Sequence, residues 1–431
     1  MAVKNIKKKQ VIIIGGGFAG LNLIASLYKN KYYDVILVDK NNYNYFTPLL
    51  YQVATSFLEP SSICYPFRKL FKNKQIAFRM AALTSVDPSQ NKIYLNDGGE
   101  LNYDILVFAA GTETNFFDNE SIRANALSLK GIDDALFMRN ELIKTFEKAS
   151  VEKDPDERRR LLTVVIAGGG PTGVEVAGML AEMRRYVYMR DYPELKTYPC
   201  KIYIIDGSPN LLSPMSERTH QAAYKALSEL DIHIKLNTHV VLFENEKVHL
   251  SDGEAIESKT LIWSAGVTAS SFEGIAETSI GKGRRMITNE YSRVLGYDNI
   301  YAIGDISIQL SNSDSAYPGG HPQLAQPAIQ QGKTLAKNLL RIARGQQMKP
   351  FKYFDRGDMA IIGRKIAVAD LFKHKLHLGG LPGLFSWLFI HLISLVSVNN
   401  KIKTLYNWAF AFFTRDQTLR MVFRSENIEN K

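Results

Sequence analysis

Two glycine runs, each set between a β-branched strand and a helical period, constrain this chain more than anything else in it. Val11, Ile12, Ile13 and Ile14 form an apolar run of the buried-strand kind. It leads straight into Gly15-Gly16-Gly17-Phe18-Ala19-Gly20, a match to G-x-G-x-x-G. A helical pattern follows over 21–29, then a second strand over 35–38 that ends in Asp39. Each part has a physical task. Gly15 permits the tight turn, Gly17 lets a pyrophosphate approach the backbone, and Gly20 lets helix pack on strand. The free N–H groups and dipole of the helix start hold phosphates, and an acid about 20 residues on takes ribose hydroxyls. Asp39 stands in that place.

The arrangement recurs. The strand 163–167 enters Gly168-Gly169-Gly170-Pro171-Thr172-Gly173, a helix carries Glu175 and Gly178, and the strand 201–205 closes on Asp206. The segment 183–200 is inserted between that helix and strand. A lesser echo accompanies each copy: Leu106 to Gly111 after the first, Leu261 to Gly266 after the second, both strands ending in small residues that admit close approach to the backbone. Two dinucleotide sites in one chain imply two cofactors, or a cofactor and a cosubstrate, and so redox chemistry. Downstream of both, Tyr301-Ala302-Ile303-Gly304-Asp305 again ends a strand in Gly-Asp. That Asp can return to the first domain and bind a flavin ribityl chain, which makes the first domain discontinuous. Asp206 is followed by Gly-Ser-Pro-Asn, with no Arg or Lys for a 2′-phosphate, so a carboxylate there favours NADH over NADPH.

Composition narrows the rest. A chain of 431 residues, 45% hydrophobic and 22% charged, is long enough for two or three domains with real cores, which excludes disorder as its main state. Two cysteines, Cys64 and Cys200, exclude a disulfide scaffold and a zinc module and read as inert thiols of a reducing compartment. No metal is expected. His374-x-x-His377 is the nearest approach to a ligand set, and it reads as a polar flank. The net charge of +10 calls for an anionic neighbour. The N-terminal lysines read as a solvated tail with no secretory signal behind them.

The C-terminus supplies a candidate for that neighbour. Between 376 and 400 there is no Asp, Glu, Lys or Arg, and 384–398 is nearly all apolar, with Ser386, His391, Ser394 and Ser397 falling on one helical arc. A helix of that length reaches roughly 22 Å, short of the roughly 30 Å hydrocarbon core, so a transmembrane span is disfavoured. In 402–413 the pattern puts Lys403, Thr404, Asn407, Thr414 and Arg415 on one side and Leu405, Tyr406, Trp408, Ala409, Phe412 and Phe413 on the other. With Trp387, Lys401, Arg420 and Arg424 alongside, it reads as a helix lying in a membrane interface on anionic lipid, rather than as a nucleic-acid contact. Helices packed on a core or a dimer interface are the plainer alternative.

With these residues in view, the chain resembles the flavoproteins with two dinucleotide-binding domains, and within them the type II NADH:quinone oxidoreductases. The segment 42–55, NYNYFTPLLYQVAT, is similar to the family's stretch near the flavin, and Ala325-Gln326-Pro327-Ala328-Ile329-Gln330-Gln331-Gly332 to its A-Q-x-A-x-Q quinone motif. The resemblance implies an α/β fold of two Rossmann-like domains, the first discontinuous, with a C-terminal amphipathic helical membrane-binding tail. It implies boundaries of 1–125 and 291–370 for the FAD domain, 126–290 for the NADH domain and 371–431 for the anchor.

For FAD it implies Gly15, Gly17, Phe18, Ala19, Gly20, Asp39, Lys40, Pro48, Gln52, Leu83, Ala110, Gly111, Asp305, Ala325 and Gln326. For NADH it implies Gly168, Gly170, Pro171, Thr172, Gly173, Glu175, Asp206, Ala265 and Gly266. Glu175, Gln326 and Gln330 become the catalytic candidates, Glu175 beside the NADH ribose or nicotinamide. Gln326 and Gln330 share a face of a helix expected to begin near Pro327 and donate to a quinone carbonyl. Many members carry Glu where this chain has Met179; here a carboxylate comes one turn on, at Glu182. The implied activity is oxidation of NADH, with two electrons passed through FAD to a quinone and no proton pumping. The implied place is the cytoplasmic face of the bacterial inner membrane, held through 383–424, with a homodimer left open. The alternative is a soluble NADH-dependent flavoprotein reductase of a small iron–sulfur protein. It accounts for the charge but not for the aromatic tail.

Overall fold

The computed structural model describes residues 7–310, 317–364, 366–372, 375–414 and 419–422. His374, Arg415 and Arg424 lie outside the described residues. The chain divides into two units, one of residues 1–45, 65–113 and 267–355, the other of 46–64, 114–266 and 356–431.

The first unit is built on a five-stranded parallel sheet. Its order is Ile300–Ala302, Ile105–Phe108, Lys9–Ile14, Tyr33–Asp39, Ile76–Met80, with the glycine-loop strand in the middle. Strands covered on both faces need side chains that are apolar throughout, and Val11, Ile12, Ile13, Leu37, Leu106, Val107 and Phe108 are buried accordingly. On one face the helix Phe18–Leu27 packs against Ala325–Ala343, pressed so close that a Cβ on Gly332 would collide with the Ala19 carbonyl. The Tyr33 hydroxyl donates to the Leu339 carbonyl at 2.7 Å and ties the same helix to the sheet. The strand before Asp305 thus joins the first sheet, beside Ile105–Phe108.

The second unit repeats the plan in the order Leu127–Ser128, Thr260–Trp263, Thr163–Ala167, Lys201–Ile205, His233–Lys235, all parallel. Each unit also carries a three-stranded antiparallel sheet: Leu83–Asp87 with Lys92–Leu95 and Glu100–Asn102 in the first, Val240–Glu244 with Lys247–Leu250 and Ala255–Glu257 in the second. The inserted 183–200 segment leaves the helix Pro171–Met183 through one wide turn, Arg184–Tyr188. The Tyr188 hydroxyl then secures it to the Leu195 and Tyr198 carbonyls.

The second unit also holds an antiparallel sheet, Gly357–Ile362, Ile366–Leu371, Leu376–Leu378, and two C-terminal helices, Gly380–Ser394 and Val398–Thr414. The first of these helices ends before Ser397, so the polar arc read from 384–398 is not continuous; Ser397 instead accepts from the Asn399 N–H at the start of the second. In the second helix the polar side faces inward, the reverse of the soluble pattern. Asn400 donates its amide to the carbonyls of Ser61, Ser62 and Cys64 at 3.1, 2.9 and 3.0 Å, Thr404 donates to Ser62 O, and Asn407 donates to the Ser62 hydroxyl. Trp408, expected on the outward apolar side, is buried with them. Outward stand Ile402, Leu405, Tyr406, Phe412 and Phe413, the last 83% exposed, together with Leu381, Phe385, Phe389 and Ile393 of the preceding helix. No helix among the described residues is long and apolar enough to cross a membrane.

Candidate active site

The two glycine loops have the same geometry. Gly15 and Gly168 take φ of +101° and +110°, and a Cβ on either would sit 2.5 or 2.6 Å from the carbonyl oxygen of Ala109 or Ser264, so the turn and the neighbouring strand together require glycine. Gly17 and Gly170 differ. Their backbone is extended, at φ of −76° and −72°, and a Cβ on either would meet no protein atom within 4 Å. Neither conformation nor packing accounts for glycine there, whereas a phosphate held by the helix-start N–H groups does. On this observation the residues present fit a dinucleotide at each loop.

The acids close the loops in the same way. Asp39 accepts from the Gly16 N–H at 2.6 Å and the Asn41 N–H at 2.8 Å; Asp206 accepts from Gly169 at 2.5 Å and Ser208 at 2.6 Å. Burial pushes the Asp39 carboxyl up, opposed by those two N–H groups and by the Lys40 charge. Each carboxylate oxygen retains a lone pair, so both acids can also accept from a ribose.

In the first unit Phe18, Ala19 and Gly20 start the glycine-loop helix, and Leu83 is buried in its strand. Ala110 and Gly111 follow the Ile105–Phe108 strand, Gly111 at φ +71°. Asp305 is the middle residue of a short 3₁₀ turn, Gly304–Ile306, whose first N–H, that of Gly304, is taken by the Gln331 side chain at 2.6 Å. Burial lowers the affinity of Arg285 for its proton, and the Asp305 charge restores part of it. The quinone-motif helix begins at Ala325, two residues before Pro327, and carries Gln326. Gln330 is engaged differently from the expectation of a free donor: its amide brackets Phe354, donating to the carbonyl at 2.9 Å and accepting from the N–H at 3.0 Å. Two contributors escaped the sequence reading. Gln331 lay unassigned inside the quoted motif, and Asn44, inside the 42–55 stretch, donates to the Gly16 carbonyl at 2.9 Å and braces the glycine loop.

In the second unit Pro171, Thr172 and Gly173 start the helix that carries Glu175. Ala265 and Gly266 follow the Thr260–Trp263 strand, and the face of Gly266 where a Cβ would point is met by the Phe117 ring at 2.9 Å. Glu175 is buried; burial pushes its carboxyl well above the usual range, opposed by the Ile361 N–H. Pro48 is the second residue of the 3₁₀ turn Thr47–Leu49, and Gln52 follows on the short helix Leu50–Ala54, buried between Tyr51 and Trp408. Both cysteine thiols are pushed up to about 12 by burial, as inert thiols should be. His377 is not a polar flank. Its Nδ1 lies 2.9 Å from Asp370, which also accepts from the Ser216 N–H and the Thr219 hydroxyl.

Comparison with known proteins agrees with this geometry. A family model described as pyridine nucleotide-disulphide oxidoreductase matches residues 9–332. A type II NADH:quinone oxidoreductase of Mycobacterium tuberculosis is 32% identical over 425 residues, 95% of this chain and 88% of that protein. One of Staphylococcus aureus is 29% identical, covering 85% of this chain and 90% of that protein. Among solved structures, NDH2 from Plasmodium falciparum in complex with NADH superposes at a TM-score of 0.88 with 23% identity, over 97% of this chain and 100% of that one. The sulfide:quinone oxidoreductase of Aquifex aeolicus follows the same fold at 0.72 and 19%, over 95% and 96%. A duplicated dinucleotide-binding core defines the class, and the chain belongs to the pyridine nucleotide-disulphide oxidoreductase family and, within it, to the type II NADH:quinone oxidoreductases.

Proposed function

We propose that this chain oxidises NADH and passes two electrons by way of FAD to a quinone, without pumping protons. The observation that carries the reading is the pair of matched glycine loops, each with an open glycine at the helix start and an acid-terminated strand beside it. In the first unit Gly15, Gly17, Phe18, Ala19 and Gly20 would hold FAD phosphates through backbone N–H groups, Asp39 a ribose, and Asp305 the ribityl chain. In the second unit Gly168 to Gly173 would hold the NADH phosphates and Asp206 a ribose. When bound, FAD supplies the two-electron chemistry, taking hydride from NADH and serving the quinone.

The chain's own residues do the rest. The start of the helix Ala325–Ala343 favours negative charge nearby. Gln326 donates a neutral hydrogen bond to a quinone carbonyl, and Gln330 positions that region by holding Phe354. Glu175, kept protonated to higher pH than an ordinary glutamate, holds a proton in a dry setting. The outward aromatic face of the C-terminal helices favours a membrane surface as the site of work, since each such side chain entering an apolar phase contributes ~1.5–3 kcal/mol. A peripheral place on the cytoplasmic face of a bacterial inner membrane suits that face.

The test is spectroscopic. Purified protein should show a flavin spectrum that NADH bleaches and a short-chain quinone restores. A flavin that NADH reduces but that is reoxidised only by a small iron–sulfur protein would favour the soluble-reductase alternative. For the membrane, Phe389→Asp with Phe413→Asp should abolish flotation with lipid vesicles while NADH still reduces the flavin. Unchanged flotation would remove that face as the anchor.

A further inference from the structure

Two glutamines that flank Gln326 in sequence hold neighbouring backbone groups of one turn in the first unit. Gln331 Oε1 accepts from the Gly304 N–H at 2.6 Å, and Gln323 Nε2 donates to the Asp305 carbonyl at 3.0 Å. A peptide N–H only donates and a peptide carbonyl only accepts, so the partners fix which way each amide points. Arg285 adds a third tie. Its Nε donates to the Ser307 carbonyl at 2.8 Å and its Nη2 to the His321 carbonyl at 3.0 Å. The turn itself has little room to shift. Gly304 stands at φ +76°, and a Cβ there would come 3.1 Å from that of Ala19 and 3.4 Å from that of Ala328.

The helix Ala325–Ala343 does not secure its own start. Leu324, at the N-cap position, makes no side-chain capping bond. Gln331 anchors the helix further in, beside the close approach of Gly332 to the Ala19 carbonyl. Gln326 stands five residues nearer the start, at the end of a lever of about 7.5 Å. A pivot of roughly 10° about that anchor would move Gln326 by ~1 Å, enough to matter to a bound reactant. Gln323, on the far side of Gln326, removes the pivot. We propose that Gln323 is a positioning residue for quinone reduction: by tying the helix start to the Asp305 carbonyl, it sets where Gln326 stands relative to the turn that would hold the flavin. The proposal rests on the reading of Asp305 as a flavin contact and of Gln326 as a quinone contact.

Hydrogen exchange of the holoenzyme reads the tie without turnover. Gln323→Met keeps the length of the side chain and removes the donor. Backbone exchange over 324–330 should quicken by about three- to tenfold, as loss of one hydrogen bond allows. In stopped-flow half-reactions NADH should reduce the flavin of this variant at the parent rate, while a quinone reoxidises it about tenfold more slowly. Adding Gln323→Met to Gln326→Ala should slow reoxidation no further, because the group being positioned is gone. Gln323→Glu donates only while its carboxyl is protonated. Its reoxidation rate relative to that of Gln323→Met should therefore rise as pH falls from about 7 to about 5. Parent exchange over 324–330 or parent reoxidation in Gln323→Met overturns the proposal, as does an equal slowing of both half-reactions. If Gln326→Ala itself reoxidises at the parent rate, the reading of Gln326 falls, and the positioning loses its object with it.

Discussion

Gly178 and Gly363 meet backbone to backbone: a Cβ on Gly178 would fall within contact distance of the Gly363 nitrogen and 3.1 Å from its Cα. The helix Pro171–Met183 therefore lies directly on the end of the strand Gly357–Ile362, with no side chain between them. That approach brings the Ile361 N–H within reach of Glu175, one helical turn before Gly178. Glu182, the carboxylate that follows Met179, borders the same junction: its Oε1 lies 3.2 Å from where a Gly363 Cβ would stand.

Gly178→Ala should accordingly destabilise the protein by about 1–3 kcal/mol, because the obstacle is backbone and cannot turn aside. Thermal unfolding measures it. A melting temperature equal to that of the parent protein would mean the helix can lift off the strand at no cost.

Gln331→Leu should leave the Gly304 N–H buried without its acceptor, at a cost of ~1–3 kcal/mol. Since that N–H precedes Asp305, flavin retention during gel filtration should fall along with stability. Loss of stability with full flavin content would separate the turn from the cofactor.

Asp370 gives a pH dependence with a definite sign. Burial opposes its charge, but hydrogen bonds from Ser216, His377 and Thr219 outweigh burial and hold the carboxyl at about 2, below its ordinary 3.8. A carboxyl depressed in the folded state contributes stability above its unfolded value, lost as pH falls from about 3.8 through 2. Asp370→Asn should therefore cost roughly 2 kcal/mol at pH 7, with the gap to the parent protein closing as acid is added. Chemical unfolding at a series of pH values reads this, and a gap that stays constant into acid would show the carboxylate charge contributes nothing.

Asp206→Ala should reduce the preference for NADH over NADPH by about tenfold or more in kcat/KM, the equivalent of ~1.4 kcal/mol of lost discrimination. Because the same carboxylate holds the Gly169 and Ser208 N–H groups, KM for NADH should rise as well. An unchanged ratio of the two cosubstrates would leave Asp206 with a loop-bracing role only.

Both cores were legible in the sequence because everything that specifies them is contiguous: strand, glycines, helix start and acid fall within short windows. The Gly-Asp return at Asp305 was legible for the same reason. The direction of the C-terminal helices was not. A residue-type reading sends Trp408 outward and Thr404 and Asn407 to the opposite, polar side. The structure turns them inward because the carbonyls of 61–64 require donors, and those carbonyls lie more than 300 positions away in sequence. Gln330 misled similarly. Its spacing from Gln326 sets the shared face, but only the fold shows that Phe354 takes up its amide.

The pairing of early and late residues has a consequence for how the chain is made. Gln52 leaves the ribosome long before Trp408, and Tyr33 long before Leu339, its partner 306 positions on. The core of the first five-stranded sheet cannot be sealed until the strand Ile300–Ala302 and the helix Ala325–Ala343 have been synthesised, since long loops must close before such contacts repay them. Nascent chains of this length expose the apolar strands Lys9–Ile14 and Thr163–Ala167 in the meantime. The helix Val398–Thr414, made long after residues 61–64, supplies the donors their carbonyls lack and carries an exposed aromatic face.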